Sequence, residues 1–181
     1  MTNPHWLSLI TDRRQIGPVV LPSDASARFK ELNDIRAVVF DVYGTLFSSG
    51  VGDISLATEE NRDTAIRTVL AENSIQISDT ASKVRFDEAL HKAIHQHQDS
   101  RRSVGVEYPE VDIRGVWQDF IAELDEGALI RNCSEMSIDT LVIDYETRVN
   151  PTQPMPGLED LLTELRHRGM VMSIISNAQF Y

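Results

Sequence analysis

The sequence has little cysteine and no long apolar run, and each scarcity excludes a class of protein. Cys133 is the single cysteine among 181 residues, so no disulfide can form within the chain. Disulfide-rich proteins occur in oxidising compartments, so a chain with a single cysteine is more typical of a reducing compartment. No apolar run approaches the about 20 residues that span a membrane, and the amino-terminal region lacks the basic-then-apolar order of a secretion signal. We therefore expect a cytoplasmic protein with no membrane partner.

Basic residues are also scarce. Lysine and arginine number 17 against 28 aspartates and glutamates, which gives a formal net charge of -11. A nucleic-acid backbone would be repelled by such a chain, so we expect no nucleic-acid partner. A small anionic substrate is still compatible with this composition. Positive local charge in a cleft, or a divalent cation bound there, can attract an anion although the net charge of the chain is negative.

An apolar, β-branched stretch ending in a carboxylate is the most informative feature that is present. Arg36 opens the stretch, Asp41 follows its last apolar residue, and Gly44 and Thr45 then turn the chain. In an open α/β sheet, ligands bind beyond the carboxyl ends of the strands. Asp41 is therefore a candidate nucleophile, and the alternative is that it caps a turn or a helix.

A second unit of the same kind closes the sequence. Leucines at helical spacing follow Gly157, and Gly169 stops the helix. An apolar strand over 170–175 comes next and ends in Ser176 and Asn177. The pattern predicts a helix followed by a second strand that carries a hydroxyl at its carboxyl end.

The two units resemble motifs I and II of the haloacid dehalogenase (HAD) superfamily of hydrolases. The resemblance implies an α/β fold with a Rossmann-like parallel-sheet core, in which Asp41 forms a covalent aspartyl intermediate. It implies that Ser176 holds the transferring group and that Tyr43 stands where phosphatases of this superfamily usually carry their acid and base. It further implies substrate binding by Gly44, Thr45 and Asn177, with Mg²⁺ held by Asp41 and the main-chain carbonyl of Tyr43.

The residues between the two motifs read as helical. Four apolar stripes recur at helical spacing, and Asp112 stands at the start of the clearest one. The stripes begin at Ile66, Phe86, Ile113 and Leu141. Their position after motif I resembles that of the helical cap in many HAD hydrolases. We expect an amino-terminal extension over 1–34, a discontinuous core over 35–50 and 150–181, and an α-helical cap over 51–149.

The core is expected to be incomplete. The motif III lysine and motif IV acidic pair of the superfamily are not found after Ser176, and the lysines, Lys30, Lys83 and Lys92, all precede motif II. We interpret the sequence as the amino-terminal part of a longer hydrolase; the alternative is a rearranged or degenerate member that needs a partner chain. A homo-oligomer is left open.

The residue at position 43 decides between two reactions. HAD phosphatases usually carry aspartate there to protonate the leaving group, whereas Tyr43 resembles the 2-haloacid dehalogenases, whose halide leaves without a proton. Against dehalogenation, no cap arginine is identifiable soon after motif I, and Asn177 is followed by Ala178 rather than glycine. The sequence favours a phosphatase acting on a small phosphorylated metabolite with Mg²⁺. The alternatives are a metal-independent 2-haloacid dehalogenase and a catalytically incomplete binding module.

Overall fold

The computed structural model describes residues 4–12, 32–49, 59–133 and 136–176, which form a mixed α/β structure. Its helices are α1 (Pro4–Asp12), α2 (Glu59–Glu72), α3 (Phe86–Ser103), α4 (Ile113–Glu126), α5 (Ile138–Val149) and α6 (Leu158–His167). Its strands are β1 (Ala37–Phe40), β2 (Phe47–Ser49), β3 (Gln76–Ile77), β4 (Ile130–Arg131), β5 (Thr152–Pro154) and β6 (Val171–Ile174). Within these ranges, no helix is both long and apolar enough to cross a membrane.

The two predicted strands pair in parallel. β1 and β6 align Ala37 with Val171 and Phe40 with Ile174, and the Ile175 amide donates to the Phe40 carbonyl at 2.9 Å. Parallel pairing requires a long crossover, which here contains every helix from α2 to α6. Phe40 is buried, yet Val171 and Ile174 are 65% and 60% exposed. The described residues therefore leave much of this apolar sheet uncovered, although parallel sheets are usually buried on both faces.

An antiparallel pair that the sequence did not predict joins the two ends of the crossover. Phe47 of β2 pairs with Pro154 of β5, and the Met155 amide donates to the Leu46 carbonyl at 2.8 Å. A second short pair, β3 with β4, links Ile77 to Ile130. The β2–β5 pair fixes the segment after Asp41 against the segment that leads into α6.

The hydrophobic core lies in the helices. We call α2, α3, α4 and α5 with their connections, residues 59–149, the helical cluster. All four predicted stripes are helices with buried apolar faces, and Asp112 caps α4 by accepting from the Arg114 amide at 3.1 Å. Of the described apolar side chains that are buried, Phe40 and Leu46 lie outside the cluster. Burial of this kind contributes about 1.5–3 kcal/mol for each large side chain.

The amino-terminal segment packs on the helical cluster. α1 contacts α5, and the indole Nε1 of Trp6 donates to Oγ1 of Thr140 at 3.1 Å. Leu7 and Ile10 of the same helix stay exposed. α1 thus contacts α5 through one face.

Candidate functional site

Asp41 and Ser176 lie at the same edge of the parallel sheet. Asp41 follows the last residue of β1, and Ser176 lies two residues beyond the end of β6. The strands run in parallel with Phe40 beside Ile174, so both residues follow carboxyl ends that meet at one edge. The Asp41 side chain is exposed, and Ser176 is half-buried. This is the edge at which open α/β sheets bind ligands.

The loop after Asp41 is a tight turn organised around one carbonyl. The Val42 carbonyl accepts from the amides of Thr45, Leu46 and Phe47 at 3.3, 2.8 and 2.9 Å. The Gly44 amide donates to the Phe47 carbonyl at 2.8 Å, and Gly44 has a φ of 79°. Glycine suits this position because a side chain is strained in the left-handed region.

These hydrogen bonds restrict which groups can face a substrate. The Gly44 and Thr45 amides donate within the loop, so the amides of Val42 and Tyr43 are the ones that the turn does not use. Thr45 keeps an exposed side chain that can still contact a substrate. The predicted substrate-binding roles of Gly44 and Thr45 stay predictions, and Asn177 lies outside the described residues.

Tyr43 lies in the loop that follows β1, two residues after Asp41. Its side chain is 44% exposed. Partial burial raises the pKa of the Tyr43 phenol, and the negative charge of Glu146 raises it further. The phenol therefore stays protonated at neutral pH and can donate a hydrogen bond, but it cannot act as a base there.

Glu146 carries a charge that affects Tyr43 and that the sequence did not point to. It belongs to α5, which is far from Tyr43 in the sequence. Its carboxylate acts on the Tyr43 pKa and also raises the pKa of the adjacent Tyr145, where burial is the larger cause. An acidic residue in an amphipathic helix carries no local signal of such a position, so only the packing of α5 reveals it.

The oxygen donors at this edge suit Mg²⁺. Mg²⁺ prefers oxygen ligands, keeps several waters and binds proteins through one or two carboxylates together with substrate phosphates. Asp41 offers one exposed carboxylate, and Tyr43 offers a main-chain carbonyl two residues later. Among residues 4–12, 32–49, 59–133 and 136–176, no group of three or more His, Cys, Asp or Glu side chains is placed to hold a metal. The donor set thus fits a metal held largely by water and substrate.

Comparison with known proteins identifies the family. A family model described as a haloacid dehalogenase-like hydrolase matches residues 35–179, which begins two residues before β1 and includes both motif segments. A search of curated proteins finds no match. The family match covers most of the chain, and the chain therefore belongs to the haloacid dehalogenase-like hydrolases.

Proposed function

We propose that this hydrolase cleaves a phosphate ester of a small metabolite, with Asp41 as the nucleophile. The observation that carries the proposal is that Asp41 and Ser176 lie at one edge of the parallel sheet. The chain also belongs to a hydrolase family. The exposure of Asp41 supports it, because a nucleophile has to be reached by its substrate.

In the proposed reaction, a carboxylate oxygen of Asp41 attacks phosphorus and the alcohol oxygen leaves with the electrons of the broken bond. Water then hydrolyses the aspartyl phosphate, which releases phosphate and restores Asp41. The Ser176 hydroxyl donates to a phosphate oxygen. The amides of Val42 and Tyr43 stabilise the charge that develops on the phosphoryl oxygens.

Mg²⁺ would be held by the Asp41 carboxylate and the Tyr43 carbonyl, where it would offset the charge of the phosphate. Tyr43 itself donates a hydrogen bond from its phenol to the leaving oxygen and keeps its proton, and the leaving oxygen takes its proton from water. Since this phenol is protonated at neutral pH, it cannot activate the water of the second step. The proposal therefore predicts a preference for esters whose alcohols leave easily.

The helical cluster is proposed as the cap of this hydrolase, with the cap spanning 51–149, the core 35–50 and 150–181, and the amino-terminal extension 1–34. Two observations support this assignment. The cluster has its own buried core, and Glu146 of α5 acts on Tyr43 at the sheet edge. A cap at this edge would exclude water and select the small-molecule substrate.

A metal-independent 2-haloacid dehalogenase is the second candidate, and Tyr43 is the observation that favours it.

Two assays separate the candidates. The phosphatase proposal expects phosphate release from phosphorylated sugars and nucleotides that requires Mg²⁺ and is abolished by Asp41→Asn. Dehalogenation predicts halide release from 2-chloropropionate without metal, also abolished by Asp41→Asn. The matched control is Asp160→Asn, an exposed substitution of the same kind on α6. Activity in neither assay, with a native circular dichroism spectrum, would instead support a binding module.

A further inference from the structure

A pocket of about 140 Å³ opens to the surface of the helical cluster. Helices α2, α3, α4 and α5 each contribute side chains to its lining. A single water needs only about 10–15 Å³ on this scale, so the pocket has room for a small organic molecule. None of the predicted site residues lines it.

The buried part of the lining is largely apolar. Leu90, Ile113, Trp117 and Tyr145 are buried, and Ile94 is half-buried. The rings of Trp117 and Tyr145 lie 5.4 Å apart between centroids. Small-molecule sites typically combine such apolar surface with a few polar groups that orient the ligand. A ligand with an aliphatic group of a few carbons matches this part of the pocket.

Charged side chains complete the lining. Glu88 and Glu146 contribute carboxylates, and Arg62 contributes a guanidinium. Asp87 also lines the pocket, but Nε and Nη2 of Arg85 donate to its two carboxylate oxygens at 2.8 and 2.7 Å. The remaining charges are of both signs, and the negative ones are more numerous. A ligand with negative charge alone would therefore be disfavoured.

Arg62 and Glu88 have charges that the described fold does not use. Neither side chain forms an ion pair or a hydrogen bond with a described residue. Arg62 is half-buried, whereas Glu88 is exposed, as is the other polar lining residue, His91, whose ring lies 4.4 Å from that of His95. Because the two charges share a pocket without pairing with each other, one molecule that carries an anionic and a cationic group can pair with both.

The Tyr145 phenol supports the placement of the Arg62 charge at the pocket. Burial raises the pKa of this phenol, the carboxylate of Glu146 raises it further, and the guanidinium of Arg62 lowers it. Arg62 therefore acts on a side chain that lines the same pocket. A planar guanidinium is suited to bind a carboxylate through two parallel hydrogen bonds.

We propose that this pocket binds an aliphatic α-amino acid, whose carboxylate pairs with Arg62, whose ammonium pairs with Glu88 and whose side chain packs on the apolar lining. The proposal does not depend on Asp41 or on hydrolysis. Binding can accordingly be measured without turnover, and its failure would leave the proposed phosphatase activity unaffected.

The test is isothermal titration calorimetry of the full chain with three matched probes. L-Leucine has both charged groups, 3-methylbutan-1-amine lacks its carboxylate, and 4-methylpentanoate lacks its ammonium. We expect saturable binding of leucine, and binding at least about tenfold weaker for each of the other two, because each loses one charge-assisted hydrogen-bonded contact. No saturable binding of leucine, or equal binding of leucine and either analogue, would overturn the proposal.

Two variants assign the contacts. Arg62→Gln should bind leucine no better than it binds 3-methylbutan-1-amine, and Glu88→Gln should bind leucine no better than it binds 4-methylpentanoate. The matched controls are Arg101→Gln and Glu126→Gln, which remove exposed charges outside the pocket and should keep the preference for leucine. A variant at Arg62 or Glu88 that has a native circular dichroism spectrum and keeps the full preference would contradict the assignment. Should either variant fail to fold, the three probes on the unmodified chain still decide.

Discussion

Replacing Tyr43 by aspartate tests the proposed chemistry most directly. In the phosphatase proposal, the substitution restores a carboxyl group at the usual place of the acid and base. A general acid and base of this kind contributes about 10²- to 10⁴-fold to rate. Alkyl phosphates should gain most because their leaving groups need the proton most. A dehalogenase should lose activity instead, because halide needs no proton and a second carboxylate repels the charge of Asp41.

The surroundings of Tyr43 make the introduced carboxyl a suitable acid. The negative charge of Glu146, which already raises the Tyr43 pKa, would also raise the pKa of a carboxyl at this position. The turn should survive, because its hydrogen bonds join main-chain atoms of Val42, Gly44 and their neighbours. Since Tyr43 is 44% exposed, losing its partly buried ring should cost only about 1 kcal/mol of folding free energy.

The matched control is Tyr43→Asn, which has nearly the same shape as Tyr43→Asp but no titratable group. The assay is kcat/KM on aryl and alkyl phosphates, beside halide release from 2-chloropropionate. The proposal expects Tyr43→Asp to exceed Tyr43→Asn clearly on alkyl phosphates and less so on aryl phosphates. Equal rates of the two variants on alkyl phosphates would refute the reasoning and leave Tyr43 as an orienting residue.

Two further predictions concern stability. The hydrogen bonds from Arg85 lower the pKa of Asp87 despite the burial of the carboxyl group. Ionised Asp87 therefore stabilises the fold above the unfolded pKa of about 3.9. This contribution is lost as the pH falls through the folded pKa. Asp87→Asn should therefore reduce the urea-derived free energy of unfolding at about pH 6 more than at about pH 3, and an equal loss would contradict the assignment. In hydrogen exchange, amides of β1 and β6 should exchange at least about tenfold faster than the buried turns of α2 to α5, because the sheet has little covering; comparable protection would contradict this.

The helices could be predicted because their signals are local. The stripe that starts at Ile113 and the cap at Asp112 lie within one segment, and packing only had to bury a face that was already apolar. The pairing of β2 with β5 could not be predicted in this way. Phe47–Ser49 and Thr152–Pro154 are short and mostly polar, and they meet only because the whole crossover returns to the sheet edge.

The residues of the candidate site also differ in whether the sequence could predict their positions. Asp41 and Ser176 could be placed at one edge because each follows an apolar strand and parallel strands end together. Glu146 could not, because its effect on the Tyr43 pKa depends on where the fold places α5 relative to the loop after β1. Trp117 is intermediate: its burial was predictable from its stripe, whereas the lack of a hydrogen-bond partner for its Nε1 among the described residues was not.

The separation between the core and the site affects how variants at the site should be interpreted. The described buried apolar residues are concentrated in the helical cluster, while Asp41 is exposed at the edge of a sheet that has little covering. Asp41→Asn removes one exposed charge and no packing, and surface changes of this kind usually alter stability by less than about 0.5 kcal/mol. Loss of activity in that variant therefore reports on chemistry. Ser176 is half-buried and has interactions of its own, so Ser176→Ala needs a measurement of unfolding beside each measurement of rate.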